Sequence, residues 1–84
     1  MVRIVYLARL RDAFGRSEEQ IELPRDVGTV AALLAWLCAR GGVWAHELAS
    51  GRSVRVAVNH DVAVPGTPVA RGDEVALFPP VTGG

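Results

Sequence analysis

One long helical stretch sets the terms for this chain. Val30, Leu33, Leu34, Leu37 and Cys38 fall at i, i+3, i+4, i+7 and i+8, so a helix here carries one apolar stripe. Thr29 precedes it as an N-cap whose hydroxyl can accept a free backbone N–H. Gly41-Gly42 follows and supplies a stop, because helices often end on a residue in the left-handed region. A striped helix must lay its stripe on another layer, and the flanking segments alternate with period two, as strands do.

Val2 to Leu10 reads as the first strand. Val2, Ile4, Tyr6, Ala8 and Leu10 share one face; Arg3, Val5, Leu7, Arg9 and Arg11 share the other, and the charges mark that face as outer. Asp12 to Ser17, with Gly15, reads as a turn. Glu18 to Leu23 is a second strand with Glu19, Ile21 and Leu23 on one face, of which Ile21 and Leu23 point inward, and Pro24 ends it. A short helical turn is expected from Trp44 to Ala49. Val54 to Val58 is a third strand with Val54, Val56 and Val58 inward, Asn59-His60-Asp61 a turn, and Val62 to Val64 a brief fourth strand before Pro65-Gly66. Glu74 to Phe78 is the last strand, with Val75 and Leu77 inward and Glu74, Ala76 and Phe78 outward. Strand, strand, helix, then three strands is an α+β order, and β-grasp is the fold with this order: a mixed sheet of about five strands crossed by one main helix. The last strand is expected beside the first, parallel to it, in the middle of the sheet.

Eighty-four residues leave room for one domain with a modest core and no separate catalytic domain. Half the residues are apolar, and nine arginines balance nine acidic residues. Zero net charge argues against nucleic acid or an anionic membrane as the main partner. The sequence has no lysine, which excludes Schiff-base chemistry and isopeptide chains on its own side chains. One cysteine, Cys38, forms no internal disulfide and fits a reducing cytoplasm. The opening residues do not read as a secretion signal, and the longest apolar run, Val30 to Ala39, falls short of the roughly 20 residues that span a bilayer.

The sequence ends Phe78-Pro79-Pro80-Val81-Thr82-Gly83-Gly84. Pro79 and Pro80 fix φ and remove two donors, which stops the strand and keeps the tail extended. Gly83 and Gly84 are slim and conformationally free, and suit a narrow channel. Extended, the segment from Pro79 to Gly84 reaches roughly 20 Å. The division expected is a domain over residues 1–78 and a tail over residues 79–84.

This ending closely resembles that of the molybdopterin synthase small-subunit family, whose members are sulfur carriers with a ubiquitin-like β-grasp fold. Gly72-Asp73-Glu74-Val75, Val2 to Arg11 and Val56-Ala57-Val58-Asn59 take part in the resemblance, which covers essentially the whole chain. It implies that Gly84 is adenylated by an ATP-dependent enzyme of the ubiquitin-activating type and then converted to a thiocarboxylate by a sulfurtransferase or cysteine desulfurase donor. It further implies that the terminal sulfur goes to a pterin precursor, cyclic pyranopterin monophosphate, to form the dithiolene of molybdopterin. The large synthase subunit would be the partner, two copies of each chain assembling together, with no resident cofactor, metal, nucleic acid or membrane involved. Pro79, Pro80, Val81, Thr82 and Gly83 would enter the partner. Family members dock through the outer sheet face.

Parity alone places Val5, Leu7, Ala57, Phe78 and Val62 on that face, as an apolar patch beside the tail root. Other residues have structural readings. Cys38 lies on the helix stripe and is expected to be buried and inert; His46 and His60 lack ligand spacing; Trp36 flanks the stripe as packing. No nucleophile–base pair, carboxylate dyad or phosphate-cradling loop is present, so the domain alone is expected to catalyse nothing. Two covalent alternatives remain: a carrier for another pathway, of the thiamine type, against which Phe-Pro-Pro-Val-Thr argues, and a ubiquitin-like modifier joined to lysines of other proteins. A β-grasp interaction module with an incidental tail is the third.

Overall fold

The computed structural model describes residues 1–49 and 54–80. In chain order it forms β1 (Val2–Tyr6), α1 (Arg9–Phe14), β2 (Glu18–Ile21), α2 (Val30–Cys38), α3 (Gly42–Leu48), β3 (Arg55–Val58), β4 (Asp61–Val62) and β5 (Glu74–Phe78). The five strands lie in the order β2-β1-β5-β3-β4, with β5 parallel to β1 and every other pairing antiparallel. The central parallel pair is where the β-grasp order puts it. Hydrogen bonds flank β5 on both sides, so its C-terminal residue, Phe78, leaves the best-supported part of the sheet.

The inward set of each strand meets the stripe of α2. Ile4, Tyr6, Val75 and Leu77 are fully buried against Leu33 and Leu37, and Val30, Val56 and Val58 complete the layer. Each such aliphatic side chain stabilises the fold by about 1.5–3 kcal/mol. Thr29 caps α2 as expected: its Oγ1 accepts from the Ala32 N–H at 3.2 Å. The helix closes at Ala39, and Gly41, at φ +77°, turns the chain into α3. No helix among the described residues is long and apolar enough to cross a membrane.

Several expected boundaries move. The first strand ends at Tyr6, not Leu10, because Ala8 adopts φ +53° and the chain turns into α1. Leu10 fits both a strand face and a helix face. Its partner one turn on is Phe14, and both are buried, so the helical period wins. Arg9 and Arg11 therefore sit on α1 and not on the outer face of the sheet. The expected turn at Asp12 to Ser17 begins at Gly15, whose N–H donates to the Arg11 carbonyl at φ +70°. β2 stops at Ile21, though Leu23 still packs on the core. β4 is Asp61–Val62, since the turn before it has only two residues: Asn59 and His60 both take positive φ, 50° and 75°, which matches the twist of a tight hairpin. Two short helices join the main one, and α3 starts two residues before the expected helical turn.

Candidate functional site

Cross-strand register builds the outer face row by row. Val5 faces Ala76, Ala76 faces Ala57, and Ala57 faces Val62, giving one apolar row over four strands. Directly opposed side chains on one face have Cβ atoms about 5 Å apart, so the row is continuous. Val62 is 75% exposed at its outer end. The next row toward the tail holds Phe78 opposite Arg55. Leu7 lies just past β1, 43% exposed, and its N–H donates to the Leu77 carbonyl at 3.0 Å, which fixes it at the tail root. Ala76, the centre of the apolar row, was readable from parity as outward, but a small side chain does not stand out as part of a patch.

The far end of the same face is ionic and self-contained. Arg3 Nε donates to Glu18 at 2.6 Å, and Arg3 Nη1 donates to Glu74 at 2.9 Å. His60 Nε2 lies 3.6 Å from the other Glu74 oxygen. Asn59 accepts from the Glu74 N–H and donates to Asp73, whose carboxyl is held below its ordinary value by the Ala70 N–H and by Asn59. The face thus grades from ionic, through apolar, to the root of the tail.

Pro79 and Pro80 are half-buried just beyond β5 and outside any strand, consistent with donors removed at a strand end. Val81, Thr82, Gly83 and Gly84 lie outside the described residues.

Behind the tail root, on the helix side, is a network that the sequence did not disclose. Tyr6, directly across from Leu77, donates its hydroxyl to Glu19 Oε2 at 2.6 Å. Arg40 grips the same carboxylate with two bonds, 2.9 and 3.0 Å, and Arg16 stands 3.6 Å away. The Arg40 guanidinium lies over Trp36 and Trp44, 5.0 and 4.5 Å from their ring centres. Trp44 in turn stacks on Phe14 at 4.0 Å, and both meet the Tyr6 ring edge-on. Burial pushes the Tyr6 hydroxyl up, and the Glu19 carboxylate adds to the rise. At Glu19 burial acts upward, but Arg40 and Tyr6 outweigh it and the net shift is downward. The one clue was Glu19 on the inner face of β2, a half-buried acid in need of a partner; Arg40, distant in sequence, could not be named.

Arg9, displaced from the sheet, stands 3.5 Å from Glu47 of α3. Cys38, expected to be buried, is half-buried, and Trp36 is half-buried as packing under Arg40. His46 and His60 are exposed. Among the described residues no group of three His, Cys, Asp or Glu is placed to hold a metal.

A mixed sheet in this strand order, crossed by α2 and releasing its chain end from the central strand, defines a ubiquitin-like β-grasp domain. Solved structures agree: a Pyrococcus furiosus protein described as molybdopterin converting factor, subunit 1, superposes with TM-score 0.77 at 30% identity, covering 95% of this chain and 97% of that one. Small archaeal modifier protein 1 of Haloferax volcanii superposes with TM-score 0.71 at 28% identity, covering 95% and 97%. Residues 4–84 match the ThiS family, and the chain belongs to it. Over the full length of both chains it is 37% identical to the molybdopterin synthase sulfur carrier subunit of Escherichia coli and 36% identical to that of Haemophilus influenzae.

Proposed function

We propose that this chain is the sulfur carrier subunit of a molybdopterin synthase, acting through Gly84. The observation that carries the reading is the end-to-end match with two sulfur carrier subunits of that synthase, Gly83-Gly84 included in the span. The fold supports it by rooting the tail on β5, between two hydrogen-bonded neighbours and beside an apolar face. In this reading residues 1–78 are the platform and residues 79–84 the tail that carries the reacting carboxyl group.

The chemistry follows from the terminus. An α-carboxylate has a pKa of about 3.5 and is a poor electrophile at neutral pH. Attack of a Gly84 carboxylate oxygen on the α-phosphorus of ATP, with pyrophosphate leaving, makes an acyl-adenylate. A persulfide sulfur on the donor enzyme then adds to the acyl carbonyl and expels AMP, and a thiol cleaves the resulting acyl disulfide, freeing the donor and leaving Gly84 as a thiocarboxylate. Seated in the large subunit, that sulfur bonds to an electrophilic carbon of the pterin precursor, and water then hydrolyses the resulting thioester, leaving the sulfur on the pterin and Gly84 as a carboxylate. Pro79 to Gly83 serve as the slim arm that delivers it. The large subunit supplies the pocket and the acid–base groups. Val5, Leu7, Val62 and Phe78 supply the docking surface, where burying the patch drives association.

Adding one residue after Gly84 tests the reading. The extended chain is expected to keep wild-type thermal stability and to lose sulfur transfer completely, because the reacting carbonyl is displaced by a residue. Normal transfer by the extended chain overturns the mechanism. A second reading, a protein modifier joined through Gly84, draws on the likeness to small archaeal modifier protein 1. It predicts a ladder of conjugates in cells where the carrier reading predicts one discrete complex.

A further inference from the structure

Charge accounting on the outer sheet face leaves one remainder. The outward charged residues of the strands there are Arg3, Glu18, Glu74 and Arg55. Three of them form one closed network, Arg3 bridging Glu18 and Glu74. Arg55 is exposed and has no acidic partner among the described residues, which include every Asp and Glu of the chain. Its position is not peripheral. Arg55 is the direct ladder partner of Phe78, the last strand residue before the tail, and Ala57 of the apolar row follows it on the same face of β3.

We infer that Arg55 is a specificity-determining contact for the partner that takes in the tail, and that the large subunit places a carboxylate opposite it at the mouth of the tail channel. The inference rests on the docking reading above and goes beyond it by naming the polar group that the apolar patch requires. A surface that swallows a chain rooted at Phe78 must also cover the residue facing Phe78 across the ladder, since opposed Cα atoms lie only about 5 Å apart. Covering a guanidinium without a partner forfeits its hydration, whereas a facing carboxylate restores it with two parallel hydrogen bonds. The charges at the far end are already matched internally and ask nothing of a partner. Arg55 therefore fixes which way round the apolar patch docks: an apolar row alone tolerates sliding, and a single fixed charge beside the tail root does not.

The test is a calorimetric titration of the cognate large subunit with wild-type chain, Arg55→Ala, Arg55→Glu and Phe78→Asp, each at low and high salt, with thermal denaturation to confirm folding. Arg55→Ala is expected to weaken binding about tenfold and Arg55→Glu about a hundredfold or more, with the salt dependence flattened in Arg55→Ala. If Phe78→Asp loses binding while Arg55→Glu stays within about twofold of wild type, the role of Arg55 is overturned and the docking face stands. If neither variant loses affinity, the docking reading itself falls. A parallel titration with the adenylating enzyme fixes the partner: loss there alone, with large-subunit binding intact, overturns the assignment to the large subunit.

Discussion

Glu19→Ala is the substitution from which the structure predicts most. It removes the acceptor of the Tyr6 hydroxyl, on a residue with no solvent exposure, and an unsatisfied buried donor costs about 1–3 kcal/mol. It also strands Arg40, whose side chain is 26% exposed and whose bidentate bond is the closest ion pair of the network. Breaking a fully buried pair costs about 3–5 kcal/mol. Arg40 keeps some water and its seat over Trp36 and Trp44, so the lower part of that range applies. The two losses share one carboxylate and do not add fully, which gives about 3 kcal/mol in total. Urea denaturation should show this as a midpoint lowered by about 2 M with an unchanged slope. The pH dependence supplies an independent check. Glu19 is held below its ordinary value of 4.5, so its contribution is complete above that pH and is lost as pH falls through the lowered folded value. Wild type should therefore lose more stability on acidification than Glu19→Gln. A Glu19→Ala penalty under about 0.5 kcal/mol would refute the reasoning, as would identical acid profiles for wild type and Glu19→Gln.

Other perturbations probe separate parts of the account. Leu77→Ala, in the centre of the sheet with no exposure, should cost about 2–5 kcal/mol by chemical denaturation and bring the chain close to unfolding. Thr29→Ala removes the 3.2 Å cap on α2 and should cost about 1 kcal/mol, whereas Thr29→Ser should cost only a few tenths. Phe78→Asp, at a half-buried position on the outer face, should lower thermal stability modestly while leaving the chain folded, and should weaken complex formation with the large subunit at least tenfold in a pull-down or titration.

What the sequence disclosed and what it withheld follow from the range of the interactions. β5 was legible residue for residue because turn residues precede it and Pro79 follows it, and Val75 and Leu77 alternate cleanly between them. The Thr29 cap and the α2 stripe are local patterns and were equally plain. β1 overran because Leu10 satisfies two periods, and only the packing of Phe14 one turn later decides between them. The Asn59-His60 hairpin was placed but measured one residue too long, since positive φ at both positions is not written in the residue types as it would be in Asn-Gly. Of the site, Val5, Ala57, Phe78 and Val62 came from parity alone. Glu19 with Arg40 and Tyr6 did not, because their association depends on how the α2–α3 connection folds over β2.

The direct test of the central claim is the intact mass of the chain after incubation with its adenylating enzyme, ATP and a sulfur source. The account predicts a gain equal to replacing one oxygen by sulfur, located by fragmentation at Gly84. An unchanged mass, with the enzyme shown to be active, would contradict it.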